Sequence, residues 1–526
     1  METRMTETGG SMDQRPADDC YALDILTALS SAPERVAVHW RGRAVQAGEL
    51  AGRVADSVRN LRKLGIGPGT TVAVLVAPNS PDMLTVRYAT HLLGGAVTYV
   101  RGTNPASTAR ELAPDEQLRI LLDSSTQVLV ADAENIGRAR ELSARAPGRF
   151  VVAEADAEPA AGVTAAAGVI PDLGELPPRD PRRLALISYT SGSTGKPKGI
   201  CLSAGVVEAR VRGLPADPDA RLLAATPLSF VAGQIADAVL HAGGTVVLHE
   251  DFDAVQVVRA IAEHSITLTF MATPQLYQAL EAVQAERTDL TSLRALIYTG
   301  VAASPAKLEE ATRVFGPTLV QLYGSSESAG ATILLPGDHD DPRLRSTAGR
   351  PFPGIGLKIC DEVSGAELPV GEPGEVWLRS ANLMDGYLND PALTARALRD
   401  GWYLTGDIGR LDEQGYLSLV DRVADTVKTD GVKVHPAVVE REIANLPGVA
   451  NVAVYGVRDL ENLEHVHAAV VVKPGAQLSP GDIRARISEV LSPVHAPEEI
   501  HFLDELPLGF SGKADKHLLR RLYPIG

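Results

Sequence analysis

Short apolar runs rich in β-branched residues recur along the chain at positions 72–77, 127–131, 184–188, 245–248, 267–272, 296–299 and 319–323. Between several of them lie helix-length amphipathic stretches, such as 254–264 and 274–285. Strand and helix alternating in this way predict an α/β fold of mainly parallel, doubly wound sheets covered by helices. Function in such folds sits at the carboxyl ends of the strands. The stretch 153–168 is rich in Ala and Gly and reads as a surface connection. From about residue 349 to 420, Gly and Pro turns separate short alternating segments (374–379, 416–420), which predicts an antiparallel, β-rich subdomain. Beyond Asp421 the composition shifts to a compact α+β segment. The expected division is a disordered tail at 1–20, a large domain at 21–421 and a small C-terminal domain at 422–526. No internal repeat is visible.

A chain of 526 residues exceeds one hydrophobic core, in keeping with two or more domains. With 45% hydrophobic and 22% charged residues it is composed like an ordinary globular protein. The net charge of -16 argues against broad attraction to nucleic acid or an anionic membrane. Cys20, Cys201 and Cys360 are odd in number and share no metal-ligand spacing, so inert thiols in a reducing cytoplasm are expected. Residues 1–19 are polar, without the apolar core of a signal peptide, and nowhere do about 18 apolar residues run together. A cytoplasmic protein without a membrane partner is expected.

One run carries most of the chemistry. Tyr189-Thr-Ser-Gly-Ser-Thr-Gly-Lys-Pro-Lys-Gly199 follows an apolar stretch and supplies three glycines, four hydroxyls and two lysines. Glycine lets backbone N–H groups turn in around an anion, hydroxyls donate further bonds, and lysine balances phosphate charge. It is not a Walker A loop, because Thr190 stands at the first glycine position and Pro197 follows Gly195-Lys196. The run resembles the signature loop of the adenylate-forming enzymes, which include acyl- and aryl-CoA ligases, luciferases and peptide-synthetase adenylation domains; the likeness is nearest to bacterial acyl-CoA ligases. In that family Thr190, Ser191, Gly192, Ser193, Thr194, Gly195 and Lys196 would hold the β- and γ-phosphates of ATP.

Four further motifs extend the resemblance, in family order, over roughly residues 20–520. Tyr323-Gly324-Ser325-Ser326-Glu327 resembles Tyr-Gly-x-Thr-Glu, in which the tyrosine stacks on adenine, the hydroxyl touches the α-phosphate and the glutamate holds Mg²⁺. Ser326 keeps the hydroxyl. Tyr403-Leu-Thr-Gly-Asp407 matches a motif whose aspartate grips both ribose hydroxyls, a task suited to two acceptor oxygens. Asp421-Arg422, with Gly431 and Pro436 after it, resembles the interdomain segment, where the arginine also contacts the ribose. Ser511-Gly512-Lys513 resembles the mobile lysine loop.

The implied reaction needs these groups. A carboxylate must first attack the α-phosphate of ATP and expel pyrophosphate, and catalysis is then largely positioning and charge stabilisation. Lys513 would neutralise the reacting oxygens and Glu327 would place Mg²⁺. The resemblance further implies a small lid domain that rotates, withdraws Lys513 and opens a thiol channel beside Gly431.

Departures from the family pattern bear on substrate and acceptor. In Thr226-Pro-Leu-Ser-Phe-Val-Ala-Gly233, Phe230 stands where CoA ligases usually carry His, and Val231 where amino-acid-activating relatives place Asp. Ala424 occupies the pivot, usually Asp or Lys. Tyr298-Thr-Gly300-Val301-Ala302 resembles a Thr-Gly-Gly-Ala segment lining the acyl and adenine pocket, with Val301 narrowing it. These changes disfavour an α-amino acid and point to a small aryl or short acyl acid. CoA is the expected acceptor, with no carrier-protein domain expected after Gly526. The alternatives are a free-standing carrier protein, a nitrogen species (nitrite activated before an aryl amine attacks), or a nucleotide-binding pseudoenzyme. His241, His249 and His264 are expected to be structural, and the acid-rich run 338–341 a solvated loop.

Overall fold

The computed structural model describes residues 20–525, except 109–110, 156–166, 192–196, 216, 287, 430–431, 460, 462 and 508–513. The expected tail and most of the 153–168 connection therefore lie outside the described residues. Cys20, placed in that tail by the sequence, is described and caps the N-terminus of helix Tyr21–Ser31.

Two large sheets organise the first four hundred or so residues. One has seven strands, in the order 386–387, 197–203, 184–191, 96–99, 71–75, 128–131 and 151–154. Its members from 184–191 to 151–154 run parallel, while 184–191 and 197–203 pair antiparallel. The other has nine strands, and its centre, from 319–325 through 295–299, 268–272 and 221–224 to 245–248, is again parallel. Strands such as Val128–Ala131 and Thr245–Leu248 are buried at every residue. That is why they read as unbroken apolar runs: a parallel sheet is covered on both faces.

The helices follow their sequence patterns closely. Ala254–Glu263 starts where the Asp253 side chain accepts from Gln256 N at 2.8 Å, and it buries Val257, Val258, Ala260 and Ile261 as one face. Thr273–Glu286 matches the second predicted helix.

The segment from Gly356 to Arg422 forms an antiparallel sheet of strands 356–360, 374–379, 402–411, 398–399 and 417–422. From Val427 onward the buried apolar residues form clusters of their own around Val439, Ile443, Val454, Ala468 and Ile487. A hairpin pair, 427–429 with 432–434, a three-stranded sheet of 449–458, 464–472 and 499–502, and the helices Pro436–Ala444, Pro480–Val490 and Lys516–Leu522 belong to this smaller unit. Among the described residues, no helix is long and apolar enough to cross a membrane.

The acid-rich run 338–341 departs from expectation. Pro336–Asp340 is a short 3-10 helix with His339 fully buried and hydrogen-bonded to Tyr298 Oη at 2.9 Å, while Asp338 accepts from Tyr416 Oη at 2.8 Å. The histidine inside the run anchors it.

Candidate active site

The site forms where the central strands of the nine-stranded sheet end. Strand Leu319–Ser325 turns back tightly into Ala329–Leu334. A side chain at Gly324 would overlap the Ala329 carbonyl, so glycine is required there. Ser328 Oγ accepts from Ser325 N at 3.1 Å and closes the turn. Ser326 and Glu327 sit on it.

Three groups fix this turn. The Glu327 carbonyl accepts from Met384 N at 2.7 Å, and Glu327 Oε1 accepts from Tyr387 Oη at 3.0 Å. Arg210 reaches in from helix Ala204–Arg212 and donates to the carbonyls of Ser326 (3.1 Å), Glu327 (3.3 Å) and Asn382 (2.7 and 3.0 Å). Burial first, and then the Glu327 carboxylate, push the Tyr387 hydroxyl up, so it stays a donor.

Asp407 lies on strand Trp402–Leu411, opposite Arg422 on strand Leu417–Arg422. Asp407 Oδ1 accepts from Arg422 Nε at 3.1 Å and Oδ2 from Tyr323 Oη at 2.7 Å. Gly406, at φ 71°, turns the chain ahead of the aspartate, and Thr405 Oγ1 receives Asp407 N at 3.0 Å. Burial, followed by the neighbouring Asp407, holds the Tyr323 phenol well above its usual range. Two motifs 84 residues apart are thus joined by one hydrogen bond. A carboxylate offers about four acceptor sites, so capacity remains for a vicinal diol.

The acyl-side candidates follow two parallel strands of the nine-stranded sheet, 221–224 and 295–299, with strand 268–272 between them. Phe230 caps helix Val231–Ala242 and is only 8% exposed. Its turn is held from two sides. Asn79 donates to Thr226 O at 3.1 Å and accepts from Leu228 N at 2.9 Å; Arg87, buried and paired with Asp237, donates to the carbonyls of Leu228 and Gly233. Gly300 follows strand Ala295–Thr299 at φ 106°. Thr273 Oγ1 donates to the carbonyls of Thr299 (3.2 Å) and Val301 (2.9 Å), and Thr299 Oγ1 to Leu322 O at 2.7 Å, so this segment is tied to the strand carrying Tyr323. Val231 is half-buried, while Val301 and Ala302 are exposed.

The phosphate loop is described only at its flanks. Thr190 pairs with Lys198 and Ser191 with Pro197 across the two strands. Tyr189, buried, donates to Asp123 at 2.7 Å and fixes the base of the loop. Gly192 to Lys196, Gly431 and Lys513 lie outside the described residues. Ala424 is exposed in the bend after Arg422, whose carbonyl accepts from Asp425 N and Thr426 N at 3.1 Å each. Asp421 accepts from Ala437 N at 2.9 Å and so ties the bend to the first helix of the small unit.

Among the described residues, no group of three or more His, Cys, Asp or Glu could hold a metal ion. A single carboxylate does suit Mg²⁺, which keeps waters and takes its remaining ligands from substrate phosphates. Glu327 fits that role, because Tyr387 occupies one of its oxygens.

Comparison with known proteins identifies the family. Residues 27–388 match the AMP-binding enzyme family and residues 438–513 the AMP-binding enzyme C-terminal domain. A feruloyl-CoA synthase of an Amycolatopsis species is 34% identical over 94% of this chain and 96% of its own. The medium/long-chain-fatty-acid–CoA ligase FadD8 of Mycobacterium tuberculosis is 33% identical over 90% and 85%. The solved amide bond synthetase McbA of Marinactinospora thermotolerans superposes with a TM-score of 0.83 at 34% identity, over 96% of this chain and all of that one. Arg210, Tyr387, Asn79 and Arg87, which reading the motifs alone did not select, support the same cleft. With both family regions matched and relatives more than 30% identical over nearly its whole length, the chain belongs to the AMP-binding enzymes, ATP-dependent adenylate-forming ligases that release AMP and pyrophosphate.

Proposed function

We propose that this enzyme activates a small aryl or short acyl carboxylic acid as its acyl-adenylate and transfers the acyl group to the thiol of CoA. The observation that carries the reading is the set of contacts joining Tyr323, Asp407 and Arg422 and holding Glu327, on a strand tied through Thr299 to the segment that bears the apolar candidate Val301, with Phe230 and Val231 following another strand of the same sheet. An α-amine would need an anionic partner, and Val231 offers none.

In the first half-reaction a carboxylate oxygen attacks the α-phosphorus and pyrophosphate leaves with its bonding electrons. Asp407 and Arg422 hold the ribose, Ser326 meets the α-phosphate, and the loop from Thr190 to Lys196 retains the departing phosphates. Lys513 brings positive charge to the oxygens where negative charge accumulates. Glu327 is the residue that would hold Mg²⁺, which would supply further charge neutralisation at the phosphates. In the second half-reaction the thiolate attacks the acyl carbonyl carbon and AMP leaves. The family resemblance assigns Gly431 to the path by which the thiol would enter.

A second reading keeps the adenylate and changes the acceptor to nitrogen. Two observations favour it: Phe230 and Ala424 depart from the CoA-ligase pattern at positions bearing on the second step, and the chain superposes well on an amide bond synthetase. The experiment measures AMP and product mass with aryl and short-chain acids, with CoA, with amines and with nitrite plus an aryl amine. Thioester formation that Gly431→Leu abolishes while pyrophosphate release persists supports CoA. Turnover that ignores CoA and gives a nitrogen-linked product overturns it.

A further inference from the structure

Arg210 is 6% exposed, yet among the described residues no carboxylate forms an ion pair with it. Its bonds go to three backbone carbonyls, two of them on the candidate catalytic residues Ser326 and Glu327. Burial brings its guanidinium down to about 10, and the carboxylates that counter this act through space: Glu327 and then Asp385. A buried charge without a hydrogen-bonded counter-ion costs stability, and a fold keeps one most readily where an anionic ligand offsets it.

The bonding pattern also specifies what the residue organises. Asn382 O receives both Nε and Nη2, and that carbonyl begins the segment whose Met384 N holds Glu327 O and whose Tyr387 Oη holds Glu327 Oε1. Asp385 Oδ2 in turn accepts from Ser203 N at 2.5 Å, at the start of the helix that carries Arg210. The three elements close on Glu327. Lysine could supply the charge at this point but not the planar fork that spans separate carbonyls.

We propose that Arg210 is a positioning residue for the adenylation step: it locks the Ser326–Glu327 turn against the 382–387 segment and lends the nucleotide phosphates a positive charge that no ion pair cancels. The proposal rests on the reading of this cleft as the nucleotide site. Arg210→Lys keeps the charge and loses the fork, whereas Arg210→Gln loses the charge as well. Three quantities are read for each: the unfolding midpoint, calorimetric affinity for a non-hydrolysable ATP analogue with and without Mg²⁺, and acid-dependent pyrophosphate exchange.

Arg210→Lys is expected to fold, to bind the analogue close to the parent's affinity and to lose on the order of tenfold in exchange rate, with an unchanged KM for the acid. Arg210→Gln is expected to lose on the order of tenfold in analogue affinity in addition, more steeply with Mg²⁺ present. An arginine that serves the fold alone would lower the midpoint and leave the rate and affinity of the folded fraction unchanged. That result overturns the proposal, as does failure of both variants to fold. Should the parent bind the analogue but exchange pyrophosphate with no acid, the adenylation reading fails, and the affinity difference between the two variants still decides the role of Arg210.

Discussion

Tyr323 Oη donates to Asp407 Oδ2 at 2.7 Å, joining the end of a parallel strand in the nine-stranded sheet to strand 402–411 of the β-rich subdomain. Because Arg422 Nε holds the other oxygen at 3.1 Å, the aspartate is fixed in orientation ahead of the ribose contact proposed for it. Such preorganisation lowers the ordering cost of binding. Asp407→Ala is therefore expected to weaken binding of a non-hydrolysable ATP analogue by about 1.5–3 kcal/mol, and Tyr323→Phe by about 0.5–1.5 kcal/mol, as calorimetry would measure.

Lys513 is proposed to act on the transition state. Lys513→Ala should leave the unfolding midpoint unchanged and cost on the order of a hundredfold or more in acid-dependent pyrophosphate exchange. Parallel measurement of analogue affinity, expected to stay near the parent's, separates loss of chemistry from loss of binding.

The central strands were legible because burial on both faces leaves an unbroken apolar signature, as in Val128–Ala131. Candidate site residues could be picked out where the proposed chemistry calls for a local string, as from Tyr323 to Glu327. Arg210 and Tyr387 could not, since each is a lone polar residue whose partners are distant in sequence: Tyr387 meets Glu327 across 60 positions and Arg210 meets it across 117. A charged residue three positions after buried Val207 and just before buried Val211, on one helix face, was the available hint. The acid-rich run misled for the opposite reason, because its charges hid a histidine that packs inward on Tyr298.

Val301 is 37% exposed and stands where relatives of this resemblance carry glycine. Val301→Gly should shift preference toward bulkier acids while the KM for ATP holds steady, and stability should change by no more than ~0.5 kcal/mol. A panel of aryl acids of increasing size, scored by pyrophosphate release, provides the check.

His91 is buried between Tyr21 Oη and the Ala185 carbonyl, each at 2.8 Å, and burial, with Arg87 adding to it, pushes its imidazole down to about 3. In the unfolded chain the same group titrates near ~6.5. Between those values the unfolded state holds a proton that the folded state lacks. Its contribution is therefore whole above pH ~6.5 and is lost as the pH falls toward about 3, at up to ~1.4 kcal/mol per pH unit. In urea unfolding, the stability advantage of the parent over His91→Gln should shrink steadily as the pH is lowered below ~6.5.

The most direct test of the account is incorporation of radiolabelled pyrophosphate into ATP by the purified parent enzyme, with and without a panel of small aryl and short-chain carboxylic acids. The account predicts exchange that requires both an acid from this panel and Mg²⁺, that falls on the order of a hundredfold or more in Lys513→Ala, and that needs more ATP to saturate in Asp407→Ala. Exchange that proceeds without any acid, or binding of the ATP analogue with no exchange for any acid tested, would contradict it.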